Sequence, residues 1–206
     1  MTKVAVLASG SGTNLQALID ACTTRWLDAE IVAVITDNAQ AGAIQRARDA
    51  GIEVHVVEKV DNETRREYDT RLADVVQQMD PDLVVLAGFM RLLSMHFLSH
   101  FPMRVINLHP ALPGEFPGIN AIERAFSERD ELGRTHSGVM VHFVPDEGVD
   151  DGPVIETREV PIYPTDTLET FTERMHQTEH ALIVSAVRQV AETFIRHSHQ
   201  PEELTP

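Results

Sequence analysis

The segment Leu83-Val84-Val85-Leu86-Ala87 most narrows the folds open to this chain. Five apolar residues in succession, with no polar residue on either parity, make a stable strand only where both faces of a sheet are covered. Pro81 and Gly88 fix its ends. Before it, strands predicted at Lys3 to Ala8, Glu30 to Thr36 and Glu53 to Val57 alternate with helices. These helices begin at Asn14 (NLQALIDAC), span Gln40 to Ala50 with Gly51 as the stop, and span Glu63 to Met79. After it come a strand from Val105, a helix at Ile119 to Arg129, strands at Val139 to Val144 and Val154 to Val160, and a long closing helix at Thr167 to Phe194. Strands alternating with helices specify an α/β fold with a parallel sheet covered on both sides.

The length of 206 residues suits one domain, read as residues 1–195, followed by a mobile polar tail at 196–206. A net charge of −15 argues against general nucleic-acid binding, which depends on lysine and arginine releasing counterions from phosphate. An anionic small molecule is still allowed if a helix amino terminus or placed arginines hold it locally. The first apolar run, Val4 to Ala8, is too short for a signal-peptide core, and no window approaches a membrane span, so a cytoplasmic setting is expected. The single cysteine, Cys22, excludes an internal disulfide framework and a thiolate zinc cluster, and its helical apolar neighbours point to burial.

Three stretches carry chemistry. Ser9-Gly10-Ser11-Gly12-Thr13-Asn14 joins the first strand directly to a helix, an arrangement whose backbone amides bind phosphate. Leu15 stands where a dinucleotide fingerprint needs its third glycine, and no Gly-Lys-Ser/Thr follows, so one phosphate is favoured. A turn that merely caps its helix through Ser11 or Thr13 is the alternative. The second stretch, VINLHPALPGEFPG at Val105 to Gly118, is a buried strand that ends in a proline-broken loop. Asn107 and His109 share one parity at its carboxyl end, where parallel sheets bind ligands. A carboxamide and an imidazole there can donate to a carbonyl oxygen as an amine attacks it, although histidines at strand ends are often structural. The third, His176-Gln177-Thr178-Glu179-His180, matches the H-x-x-E-H zinc pattern, but a third ligand is not evident. The acidic loop Asp146 to Pro153 does not fit calcium-loop spacing.

Taken in order, VAVLASGSGTNLQALI, LVVLAGFMRLL, INLHP, VHFVPDEGVDDGPVI and RMHQTEHALI resemble the phosphoribosylglycinamide formyltransferase family over nearly the full length. The resemblance implies a three-layer, Rossmann-like formyltransferase fold, an open and mostly parallel sheet of about seven strands with helices on both faces. It also implies formyl transfer from 10-formyltetrahydrofolate to the amine of glycinamide ribonucleotide in purine synthesis, without a metal, by a monomer or a homodimer. On this chain the catalytic positions fall on Asn107, His109 and Asp150, and the acceptor's phosphate on Gly12, Thr13 and Asn14. His176 and Glu179 would face the glycinamide substrate. The folate cleft falls on Arg65, Met90, Arg91, Leu92, Leu93 and Asn107 and on the loop leading to Asp150, with Arg65 near the acidic tail. The implied mechanism has Asn107 and a protonated His109 stabilising the oxyanion, with Asp150 raising the pKa of His109 and relaying the amine's proton through water. Ile122 stands where some members carry a second histidine, and the loop before Asp150 is one residue longer than in familiar members. Hydrolysis of the folate, formylation of an aminoacyl-tRNA and simple sugar-phosphate binding are the competing readings. The acidic charge and the lack of an RNA-binding domain weigh against the second.

Overall fold

The computed structural model describes residues 1–198. Seven strands form one sheet in the order β3-β2-β1-β4-β5-β6-β7. They are β1 (Thr2–Leu7), β2 (Ala29–Thr36), β3 (Val54–Val56), β4 (Leu83–Leu86), β5 (Val105–His109), β6 (His136–Phe143) and β7 (Val154–Pro161). The first five are parallel, whereas β6 and β7 are antiparallel to their neighbours. The helices are α1 (Thr13–Thr23), α2 (Gly42–Asp49), α3 (Arg65–Gln78), the single turn α4 (Met95–Leu98), α5 (Ala121–Leu132) and α6 (Leu168–Ser198).

The continuous apolar run of β4 divides between two cores. Leu83, Val85 and Ala87 join the core built with α1, α2, α5 and α6, while Val84 and Leu86 join the one built with α3 and α4. The strand is therefore covered on both faces, as a run without alternation requires. The chain leaves β1 toward β2 on one side and later places β4 on the other, so the carboxyl ends of β1 and β4 frame the switch point where open sheets bind ligands.

Several boundaries differ from the sequence reading for local reasons. α3 starts at Arg65 because Thr64 caps it, accepting from Glu67 N–H at 3.2 Å while Glu67 accepts from Thr64 N–H at 2.8 Å. α2 starts at Gly42 after an Asn38 turn in which Gln40 N–H donates to Asn38 Oδ1 at 2.9 Å. α6 runs unbroken through Ser198, so residues 196–198 are helical rather than tail. The rest of the expected tail, 199–206, lies outside the described residues. Cys22 is half-buried and free, and burial pushes its thiol pKa up. Among the described residues no helix is long and apolar enough to cross a membrane.

Candidate active site

Val105 packs in the α3/α4 core, so Asn107 and His109, on the same parity of β5, leave the sheet on that side. Antiparallel pairing sets His142 of β6 opposite Asn107 and Met140 opposite His109. Beyond Phe143 the chain loops out and returns with Asp150 at φ 55, two residues before Gly152. A side chain at Gly152 would run into the Phe143 carbonyl, so the loop can close only over a glycine.

Asp150 ties the site together. Its Oδ1 accepts from Asn107 Nδ2 at 3.0 Å, and its Oδ2 accepts from Gly118 N–H at 2.9 Å and lies 3.3 Å from His109 Nδ1. Asn107 Nδ2 is also 3.2 Å from His142 Nε2. The other nitrogen of that ring, Nδ1, is 2.8 Å from the Phe143 carbonyl, which can only accept. His142 Nδ1 therefore donates to that carbonyl, and its Nε2 faces Asn107 Nδ2 and, at 3.6 Å, Asp150 Oδ1. The carboxamide is thus oriented from two sides.

Burial lowers the pKa of His109 and outweighs the opposing pull of Asp150 and of the Glu115 and Phe116 carbonyls. Asp150 raises the pKa of His109, as expected, while desolvation of the ring lowers it and is the larger effect. His109 Nε2 is buried without a hydrogen bond. Asp150 itself stays below the usual carboxylate range despite burial, held there by His142, the Gly118 N–H and His109.

These groups line one end of a cavity of about 700 Å³ whose other wall is Met90 to Leu93. Leu86, Phe89 and Leu93 supply buried apolar surface, while Met90 and Leu92, 67% and 55% exposed, form the rim. Arg91 lines the cavity with its guanidinium 2.7 Å from Asp37 and 4.8 Å above the Tyr68 ring. Arg65 lies behind the rim rather than in the lining. Its Nε donates to the Leu92 carbonyl at 3.0 Å, and its terminal nitrogen is 3.2 Å from Glu147.

The remaining predicted residues form a second cluster. Gly12, at φ 73, starts α1 with no side-chain cap, leaving the amides of Thr13, Asn14 and Leu15 without helical acceptors. Asn14 Nδ2 donates to Glu179 Oε2 at 3.1 Å. Burial pushes the Glu179 carboxyl up, against the pull of Asn14 and His176. His176 is exposed one turn earlier on α6. None of these residues lines the large cavity, but Ser9 connects the clusters: its N–H donates to the Gly88 carbonyl at 3.1 Å and its Oγ accepts from Met90 N–H at 2.9 Å. Among the described residues no group of three His, Cys, Asp or Glu could hold a metal, and Glu179 of the H-x-x-E-H stretch is engaged by Asn14.

His142 and Asp37 were missing from the predicted site, whereas Glu147 lies on the loop leading to Asp150 that the resemblance assigned to the folate cleft. Parity set the face of His142 in the sequence, but only the register of β6 on β5 brings it beside Asn107.

The model of the formyl transferase family matches residues 2–187. The phosphoribosylglycinamide formyltransferase of Dictyostelium discoideum is 46% identical over 90% of this chain and 96% of its own length. The chain belongs to the phosphoribosylglycinamide formyltransferase family. The member from Escherichia coli K12 is 41% identical over 87% of this chain and 82% of its own. The crystal structure of glycinamide ribonucleotide transformylase 1 from Symbiobacterium toebii superimposes with a TM-score of 0.87 at 39% identity, covering 94% of this chain and 89% of that one. The family's open sheet with helices on both faces is the architecture found here.

Proposed function

We propose that this chain transfers the formyl group of 10-formyltetrahydrofolate to the amine of glycinamide ribonucleotide, as a cytoplasmic enzyme of purine biosynthesis that needs no metal. Family membership supports the reaction, and one observation carries the site assignment. Asn107 and His109, neighbours on β5, meet Asp150, 43 residues beyond Asn107, at one end of a cavity whose other wall is apolar.

The amine attacks the formyl carbon, forming one C–N bond and placing negative charge on the formyl oxygen. Collapse breaks the bond to the folate nitrogen, and one proton passes from the attacking amine to that leaving nitrogen. Burial, by lowering the His109 pKa, suits the ring to this proton transfer: His109 accepts the amine's proton as base and the imidazolium so formed returns it. Asp150, 3.3 Å from Nδ1, stabilises the imidazolium while it exists. In the resting site Asn107 Nδ2 donates to Asp150 and lies 3.2 Å from His142 Nε2. Donation to the oxyanion therefore requires one exchange, and Asp150 is the partner that can yield, since it keeps the Gly118 N–H and His109. The uncapped amides from Thr13 suit the acceptor's phosphate, while Glu179 and His176 face its remainder. The walls at Leu86, Phe89 and Leu93 suit the pterin, and Met90, Arg91 and Leu92, with Arg65 behind them, suit the rest of the folate.

An absorbance assay for tetrahydrofolate release, with and without glycinamide ribonucleotide, tests the reading. Release should require the acceptor, and His109→Ala and Asp150→Asn should each lower turnover about 10²-fold or more. Release that ignores the amine would instead identify a hydrolase.

A further inference from the structure

Asp150 is only one of two anchors on its loop. Three residues earlier, Glu147 reaches the opposite wall of the cavity, where Oε1 accepts from Met95 N–H at 2.9 Å and Oε2 lies 3.2 Å from Arg65. Both receiving groups are themselves fixed. Arg65 donates to the Leu92 carbonyl, and Ser94 N–H, adjacent to Met95, donates to the buried Asp69 at 2.6 Å. Between the anchors, Gly148 N–H donates to Asp146 Oδ1 at 2.9 Å, and a side chain at Gly148 would run into the Asp151 carboxylate. The loop is thus a compact strap across the cavity mouth, pinned at Glu147 on one wall and at Asp150 on the other. Asp150 occupies the left-handed region, a conformation that persists where its surroundings hold it. Its two carboxylate oxygens face four partners on three other segments, so small displacements of the strap break several contacts together.

We propose that Glu147 is a positioning residue for formyl transfer: by fixing the strap to Arg65 and the Met95 amide, it holds the Asp150 carboxylate against Asn107, His109 and Gly118. The inference rests on the function assigned above and extends it to a residue outside the reacting groups. Glu147 touches neither His109 nor Asn107, so its effect should appear only through Asp150.

The test is a double-mutant cycle in the full chain, combining Glu147→Ala with Asp150→Asn, read by single-turnover formyl transfer. Glu147→Ala alone should lower kcat about 3- to 10-fold, in the range of one partly exposed ion pair plus one hydrogen bond. In the Asp150→Asn background the same substitution should change the residual rate less than twofold. Glu147→Gln, which keeps an acceptor for the Met95 amide and drops the ion pair, should fall between. Amide hydrogen exchange gives a readout independent of turnover. The Gly118 amide, which donates to Asp150, should exchange several-fold faster in Glu147→Ala. An equal fold loss in both backgrounds, or unchanged Gly118 exchange, overturns the proposal. A wild-type chain that forms no formylated acceptor refutes the assigned reaction, whereas the Gly118 exchange still decides whether Glu147 holds the strap.

Discussion

Gly12→Ala, compared with Gly51→Ala, separates the two demands placed on the phosphate turn. Both glycines lie in the left-handed region, at φ 73 and φ 71. Alanine there costs about 1–2 kcal/mol at either position. The surroundings differ. An added Cβ at Gly51 meets nothing within 4 Å, whereas at Gly12 it lies 2.7 Å from Ala43 Cα and 2.9 Å from Ala43 Cβ. Favourable carbon–carbon separations are about 3.5–4.0 Å, so either α2 or the turn has to move. α2 resists: Ala43 N–H donates to the Gly10 carbonyl at 3.2 Å and Arg46 donates to the Ser11 carbonyl at 2.9 Å. Overpacking of this kind adds about 1–3 kcal/mol, so Gly12→Ala should cost roughly 2–5 kcal/mol and Gly51→Ala roughly 1–2. In thermal unfolding of a chain this size each kcal/mol is about 2–4 °C, which resolves the two variants. Displacing the amides of Thr13 and Asn14 should also raise KM for glycinamide ribonucleotide about tenfold or more, equivalent to about 1.4 kcal/mol. KM for the folate should hold, as should both constants in Gly51→Ala. Equal destabilisation by the two substitutions, or an unchanged acceptor KM in Gly12→Ala, refutes the reasoning.

Asp150→Asn removes the carboxylate that raises the His109 pKa and leaves burial unopposed, so the ring stays neutral to lower pH. Activity that needs the neutral ring is lost as pH falls through that pKa, and the acidic limb of kcat/KM should therefore move further to the acid side in the variant, with turnover down about 10²-fold. Glu179→Gln addresses a carboxyl whose folded pKa is raised: its contribution is favourable below the ordinary glutamate pKa and lost as pH rises through the folded value. Unfolding should thus show the variant more stable than the parent at pH 8, by on the order of 1 kcal/mol, with little difference at pH 4, while the acceptor KM rises. Thr64→Ala deletes the capping box of α3 and should cost about 1 kcal/mol in denaturant unfolding, with kcat unchanged.

The parallel core was legible because runs such as Leu83 to Ala87 have no polar parity, and the two cores confirm that both faces are covered. Local signals also placed the ends of helices, as with Gly51, whereas Thr64 and Asn38 shifted helix starts by side-chain contacts that periodicity does not register. Asn107 and His109 could be paired from sequence because strand parity is local. Asp150 could not, since its position depends on a loop that crosses the cavity and on a backbone at φ 55, and resemblance alone supplied it. The protonation state of His109 was least legible. It is set by competition between burial and a carboxylate, and sequence shows that both groups exist without showing which effect is larger.

A chain of net charge −15 that takes two anionic substrates needs compensation at short range, because its overall field repels both. The two guanidiniums of the folate wall do not supply it as free charges: Glu147 meets Arg65 and Asp37 meets Arg91. An acidic folate tail therefore replaces one carboxylate by another, which favours discrimination by geometry over raw attraction. The phosphate turn works differently. Its amides at Thr13, Asn14 and Leu15 face no carboxylate of the capping kind, and their partial charge comes from the helix backbone, which cannot titrate. In the proposed function the acceptor would be held by a fixed dipole, and the donor by an exchange of ion pairs beside the loop that carries Asp150. Glu147 belongs to both the ion pair with Arg65 and the strap that carries Asp150, whereas the turn before α1 is tied to the Met90 wall by the hydrogen bonds of Ser9.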